Sequence, residues 1–279
     1  MEKLLKQILV VTDFTETSRM ALNHIIQMAN ELKCDVHLLH VVQPFALPAM
    51  FEHNHFIPVK TDQKAEATSR LMAWQSQLIP LLEKGRLLYS HCTEGSVEKE
   101  VRNFTIRHEI DMVILMHHRR FAWSKWLNRI NINRLARRLK CPVMNFPLVG
   151  NSHQIRNIVM PVTNVLPLRK IMFATYLARY HDASIHLVAL QEENIRQPET
   201  ENPYLYKAYQ LLRDNTNLRI ECHPVSGNNI ADTTLQYAEK VKADLIVVQP
   251  GRETELPGFL NNIFSRFLFS ASRIPVMAV

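Results

Sequence analysis

Apolar residues recur along the chain in two alternating rhythms. Short continuous runs such as Ile8–Val11 and Met112–Met116 fit strands covered on both faces. Between such runs lie stretches with apolar positions three and four apart. Leu22, Ile25, Ile26, Ala29 and Leu32 mark one face of a helix that Thr15 can cap, with Glu16 in its first turn. The first half therefore predicts a strand to Thr12, this helix, a strand over 36–42 and a long helix over 62–83. A strand over 86–92, a helix over 97–108, a strand over 112–116, a helix over 131–139 and a strand over 142–146 follow. Strands alternating with helices predict a parallel sheet with crossover helices.

The second half repeats the first. Ile8–Val11 resembles Ile158–Val162, and Asp35-Val36-His37-Leu38-Leu39 resembles Ser184-Ile185-His186-Leu187-Val188. Glu94-Gly95-Ser96 resembles Ser226-Gly227-Asn228. Asp111–Leu115 and Cys141–Met144 resemble Asp244–Val248 and Ile274–Met277, these last two at one common offset. Five matches in the same order are hard to obtain by chance. The join falls at Pro147–Ser152, so the expected domains are 1–149 and 150–279.

This order of elements, with Asp13, Thr15 and Ser18 after the first strand, Gly95, Asp111 and Cys141-Pro142-Val143, resembles the universal stress protein family. Gly227, Asp244 and Ile274-Pro275-Val276 carry the resemblance in the second half. It implies an α/β fold of two doubly wound, five-stranded parallel-sheet domains of the adenine nucleotide alpha hydrolase-like kind. It also implies that the halves pair through their last strands as an internal pseudo-dimer. Ligands of such sheets sit at the carboxyl ends of the strands, here the loops after the first and fourth.

ATP-binding members carry G-x2-G-x9-G-[ST] after the fourth strand, because bare backbone can approach phosphates closely. Counted back from Cys141-Pro142-Val143, the three glycine positions fall on Met116, Arg119 and Arg129, with Ile130 at the Ser/Thr position. In the second half they fall on Gln249, Arg252 and Asn262, followed by Ile263; Gly251 is one residue out of register. The family's adenine-side Asp survives as Asp13 and is replaced by Val162 or Thr163 in the second half. ATP is therefore disfavoured as a ligand, and no cofactor is expected. A nucleotide bound by the first half would meet Asp13, Thr15, Val41, Arg119 and Arg129, with the arginines replacing backbone by charge. Asp13 reads equally as the cap of a turn, and Thr15 and Ser18 read first as helix-start residues.

Composition narrows the picture. The chain has 279 residues, 47% of them hydrophobic, enough for two cores, and only six glycines. Cys34, Cys92, Cys141 and Cys222 are far apart and form no CxxC pair, which fits reduced thiols and a cytoplasmic protein. No segment reads as a signal peptide or a membrane span. A net charge of +7 allows an anionic partner. From Met112 to His181 there is no Asp or Glu, and Arg119, Arg120, Lys125, Arg129, Arg134, Arg137, Arg138 and Lys140 are interleaved at first with Phe121, Trp123 and Trp126. This reads first as an interface loop followed by a solvated basic helix, and second as a surface for nucleic acid or anionic lipid.

Thirteen histidines raise the question of a metal. His53, His55, His117 and His118 fall at one sheet edge but without recognised ligand spacing, so no metal site is assigned. His37 and His186 hold matching strand positions and read as core or sheet-edge residues. No nucleophile elbow, Walker loop, HExxH motif or triad spacing occurs. The expectation is a non-catalytic stress-response or regulatory protein that pairs its own halves, with higher homo-oligomers and an unidentified protein or anion as partners. The alternative is a weak nucleotide binder or hydrolase built on Asp13 and the Arg119/Arg129 region.

Overall fold

The computed structural model describes residues 3–43, 62–117, 132–147, 154–191, 202–256 and 272–279. The chain is an α/β protein. Its first repeat supplies β1 (Gln7–Val11), α1 (Glu16–Glu31), β2 (Asp35–Val42), α2 (Gln63–Leu78), β3 (Leu88–Glu94) and α3 (Val97–Arg107). Then come β4 (Met112–His117), α4 (Ile132–Arg138) and β5 (Val143–Pro147). The second supplies β6 (Asn157–Pro161), α5 (Leu168–His181), β7 (Ser184–Gln191), α6 (Pro203–Asn215), β8 (Ile220–Ser226), α7 (Ile230–Lys240), β9 (Leu245–Val248) and β10 (Val276–Ala278). The predicted helix over 62–83 is shorter because Pro80, which has no N–H to donate, follows Leu78 in a 3-10 turn over Ile79–Leu81.

The chain divides into two compact units, and the boundary falls inside β4, between Val113 and Ile114. In the unit that starts at Leu5, parallel strands run β3-β2-β1. In the other, the strand order is β4-β5-β10-β9-β6-β7-β8. Within it β6, β7, β8, β9 and β10 pair in parallel, while β10 meets β5 antiparallel, with Met277 opposite Met144. That one antiparallel ladder places β5 of the first repeat with the second repeat. Strands β1, β6 and β9 bury Ile8–Val11, Ile158–Met160 and Leu245–Val248 almost completely, as strands covered on both faces must.

The repeat extends to individual hydrogen bonds. Asp111 accepts from the backbone N–H groups of Lys6 and Gln7 at 2.7 and 2.9 Å. Asp244 accepts from those of Arg156 and Asn157 at 2.8 and 3.0 Å. Each aspartate thus clamps the entry of the first strand of its repeat. Helices end alike too: Lys33, Glu109, Asp182 and Lys242 all have φ near +50°. The residue after each donates its N–H five residues back, as Cys34 does to Ala29 and Ala183 to Ala178. These left-handed ends use no glycine, which is one way the chain manages with six.

Candidate functional site

At the carboxyl end of β1 the chain turns through Thr12, Asp13 and Phe14 into α1. Asp13 Oδ1 accepts from the Ser18 hydroxyl at 2.6 Å, the Thr15 hydroxyl at 2.9 Å and the Thr15 N–H at 3.2 Å. Thr15 caps α1, its oxygen accepting the Ser18 N–H. The turn sets Phe14 at φ +60°, a conformation in which bulky residues are rare. Its ring is held on three sides. His40 lies 4.2 Å from it, Trp74 meets it edge-on at 5.3 Å, and the Arg70 guanidinium stands 4.7 Å from its centroid. The Thr12 carbonyl can only accept, so the 2.8 Å contact puts a proton on His40 Nδ1. Burial holds the His40 pKa below the ordinary histidine range despite that bond and the nearby Asp13 charge.

Among the residues predicted for a ligand, Asp13 and Thr15 therefore share one network, and Val41 is buried in β2. Arg119 and Arg129 lie outside the described residues, as do His53, His55 and His118. His117 is described only as the last residue of β4.

The second repeat has a different interior at the matching place. Thr12 and Val162 each donate their N–H to the neighbouring strand, to Leu39 and Val188, so Thr163 stands where Asp13 does. Facing it is a carboxylate from the loop after β9. Glu253 Oε2 accepts the Gln249 N–H at 2.7 Å, and Oε1 lies 3.4 Å from the Thr163 hydroxyl. Lys170, in the first turn of α5, reaches both carboxylate oxygens at 2.8 and 2.7 Å and also donates to the Pro161 carbonyl. All three ammonium donors have acceptors, as burial of a charge requires. Burial pushes the Lys170 pKa down while the carboxylate pulls it up. Next in the loop, Gly251 at φ +123° donates to Asn133 and Thr254. A Cβ there would come within 3.0 Å of the Arg137 guanidinium.

Neither Lys170 nor Glu253 stands out in sequence. The available signal was a lysine set beside Ile171, Phe173 and Ala174 on the face of the helix that turns inward.

A third arrangement joins β2, β3 and α3. His37 is buried, with Nε2 2.8 Å from Gln7 Oε1 and Nδ1 3.1 Å from His91 Nε2. Tyr89, Phe104 and His108 complete a stack of rings around the pair. Burial first, and then the His91 and His108 charges, lower the His37 pKa to about 4. His186 holds the equivalent place in β7, as its repeat position predicts. None of the four cysteines is in a disulfide, and among the described residues no helix is long and apolar enough to cross a membrane.

Comparison with known families matches residues 5–147 to the Universal stress protein family. The chain belongs to that family. A universal stress protein from Archaeoglobus fulgidus DSM 4304 is similar in structure over 99% of this chain and 97% of its own, with TM-score 0.70 and 13% identity. A functionally unknown protein from Pseudomonas aeruginosa PAO1 matches 99% of this chain and 92% of its own, with TM-score 0.64 and 17% identity. At such identities the likeness shows the fold alone. No curated protein matches the chain significantly.

Proposed function

We propose that this chain is a non-catalytic stress-response protein that acts by binding, with neither repeat holding ATP in the manner of its nucleotide-binding relatives. The observation that carries this reading is the Lys170–Glu253 pair. The resemblance places a ligand at the carboxyl ends of the first and fourth strands of each repeat. In the second repeat that place holds the chain's own carboxylate, which takes the Gln249 N–H, a lysine and a threonine hydroxyl. A bound phosphate would call on the same donors. The side chains at the loop's glycine positions, Met116, Arg119 and Arg129 in the first repeat and Gln249, Arg252 and Asn262 in the second, support the same conclusion.

A second reading applies to the first repeat alone. Asp13 is exposed beside the Phe14 ring and Arg70. Such a platform suits a weakly held nucleotide, with Arg119 and Arg129 meeting its phosphates. The antiparallel β5–β10 ladder supports an internal pseudo-dimer through the last strands, and the net charge of +7 favours an anionic partner. Cysteines without disulfides fit a reducing, cytoplasmic setting.

Titration calorimetry with Mg-ATP, together with a phosphate-release assay, tests the proposal. We expect no saturable binding and no turnover. Saturable binding abolished by Asp13→Ala would establish the second reading. Phosphate release lost on Asp13→Ala would likewise favour the second reading, as a hydrolase, whereas magnesium-dependent binding or phosphate release that survives Asp13→Ala would overturn both.

A further inference from the structure

Strand β8 carries Glu221 and His223 two residues apart, so their side chains leave the same face of the sheet. In the parallel ladder His186 of β7 lies directly opposite Glu221. The three side chains converge. Glu221 Oε2 is 3.5 Å from His186 Nδ1 and 3.3 Å from His223 Nε2, and one donor atom from each residue lies within 4.8 Å of the others.

Those separations have a chemical meaning. A tetrahedral zinc ion with bonds of about 2.0–2.2 Å holds its ligand atoms about 3.3–3.5 Å apart. Two of the three edges already have that length. The nitrogens are also presented correctly. The Asn157 amide N–H donates to the Val241 carbonyl, which turns its oxygen toward His186 Nε2 at 3.3 Å. An amide oxygen only accepts, so the ring proton sits on Nε2 and the Nδ1 lone pair faces Glu221. His223 Nε2 is buried without a well-directed hydrogen bond, although it lies closest to the same carboxylate. Arg219 holds the other carboxylate oxygen at 2.8 Å and so fixes Oε2 toward the imidazoles. Tyr237 reaches His186 Nδ1 through its hydroxyl at 3.1 Å, and that bond would give way to the ion.

The first repeat serves as a built-in control. There His37 and His91 occupy the places of His186 and His223, but Tyr89 stands where Glu221 does. Without a carboxylate the two imidazoles bond to each other at 3.1 Å. Side-chain exposures of 30% for Glu221 and 31% for His223, against 7% for His186, leave one side open to water. We propose that His186 Nδ1, Glu221 Oε2 and His223 Nε2 form a binding site for a divalent first-row metal ion, zinc in the first instance, with water as the fourth ligand. Two imidazoles and a carboxylate suit zinc better than magnesium or calcium.

Full-length protein without an affinity tag, stripped with chelator, would be titrated with zinc chloride by calorimetry, and with cobalt(II) to read the geometry from its visible bands. We expect one zinc per chain at this site and a tetrahedral cobalt spectrum. Glu221→Gln and His223→Ala should each weaken that binding at least about 10-fold, and His91→Ala should leave it unchanged. Circular dichroism checks that each variant is folded; should His223→Ala fail to fold, Glu221→Gln decides alone. No stoichiometric uptake, or uptake indifferent to Glu221→Gln, would overturn the proposal.

Discussion

Lys170 and Glu253, 83 residues apart in sequence, meet at 2.7 Å with side chains only 3% and 4% exposed. A pair so placed is unforgiving of single changes, because removing one partner leaves the other charge buried alone. Lys170→Met or Glu253→Gln alone should cost about 3–5 kcal/mol, and the double change Lys170→Met/Glu253→Leu should recover most of it. Urea midpoints of the three variants check this. A loss for the double variant equal to the sum of the two single losses would mean that the pair is not coupled.

The two strand-entry clamps should be worth similar amounts. Asp111→Ala and Asp244→Ala each remove two charge-assisted bonds to backbone N–H groups. Each should destabilise by about 2 kcal/mol. The two share no partner, so their effects should add in a double variant measured by chemical denaturation.

Acid should loosen the first repeat through His37. Its folded pKa of about 4 lies below the ordinary 6.5, so the unfolded chain binds the extra proton more readily. Stability is therefore full above pH 6.5 and falls as the pH drops toward 4, by up to about 3 kcal/mol. Gln7, Asp35, Tyr89, His91, Phe104 and His108 surround the ring; the His91 and His108 charges oppose its protonation and the Asp35 charge favours it. His37→Gln should flatten the dependence of the urea midpoint on pH across that window. An unchanged slope would place the acid sensitivity elsewhere.

At the start of α1, Thr15→Ala should cost about 1 kcal/mol, and Thr15→Ser should be close to neutral. The hydroxyl carries both the cap and the bond to Asp13. Thermal unfolding of the two variants side by side separates this role from mere packing.

Much of the fold could be read from residues close together in sequence. The apolar runs at Ile8–Val11 and Asp111–Leu115, and their echoes at Ile158 and Asp244, located strands and repeat together. Pairing between distant residues was another matter. The sequence reading singled out neither Lys170 nor Glu253, because no local rule links a helix's first turn to a loop 83 residues on. His186, Glu221 and His223 were similarly hidden. The i, i+2 relation of Glu221 to His223 is local, but the third member depends on the β7–β8 register, which only the folded sheet fixes. The choice between Val162 and Thr163 as counterpart of Asp13 was likewise decided by one backbone hydrogen bond.

A loop that carries its own anion has a further implication. Glu253 is tethered, so its local concentration beside Lys170 does not rise or fall with the metabolic state of a cell. A freely diffusing phosphate must compete with a resident that never leaves. On the reading proposed above, the second repeat is thereby deaf to nucleotide levels, and any response to them falls to the loop around Asp13.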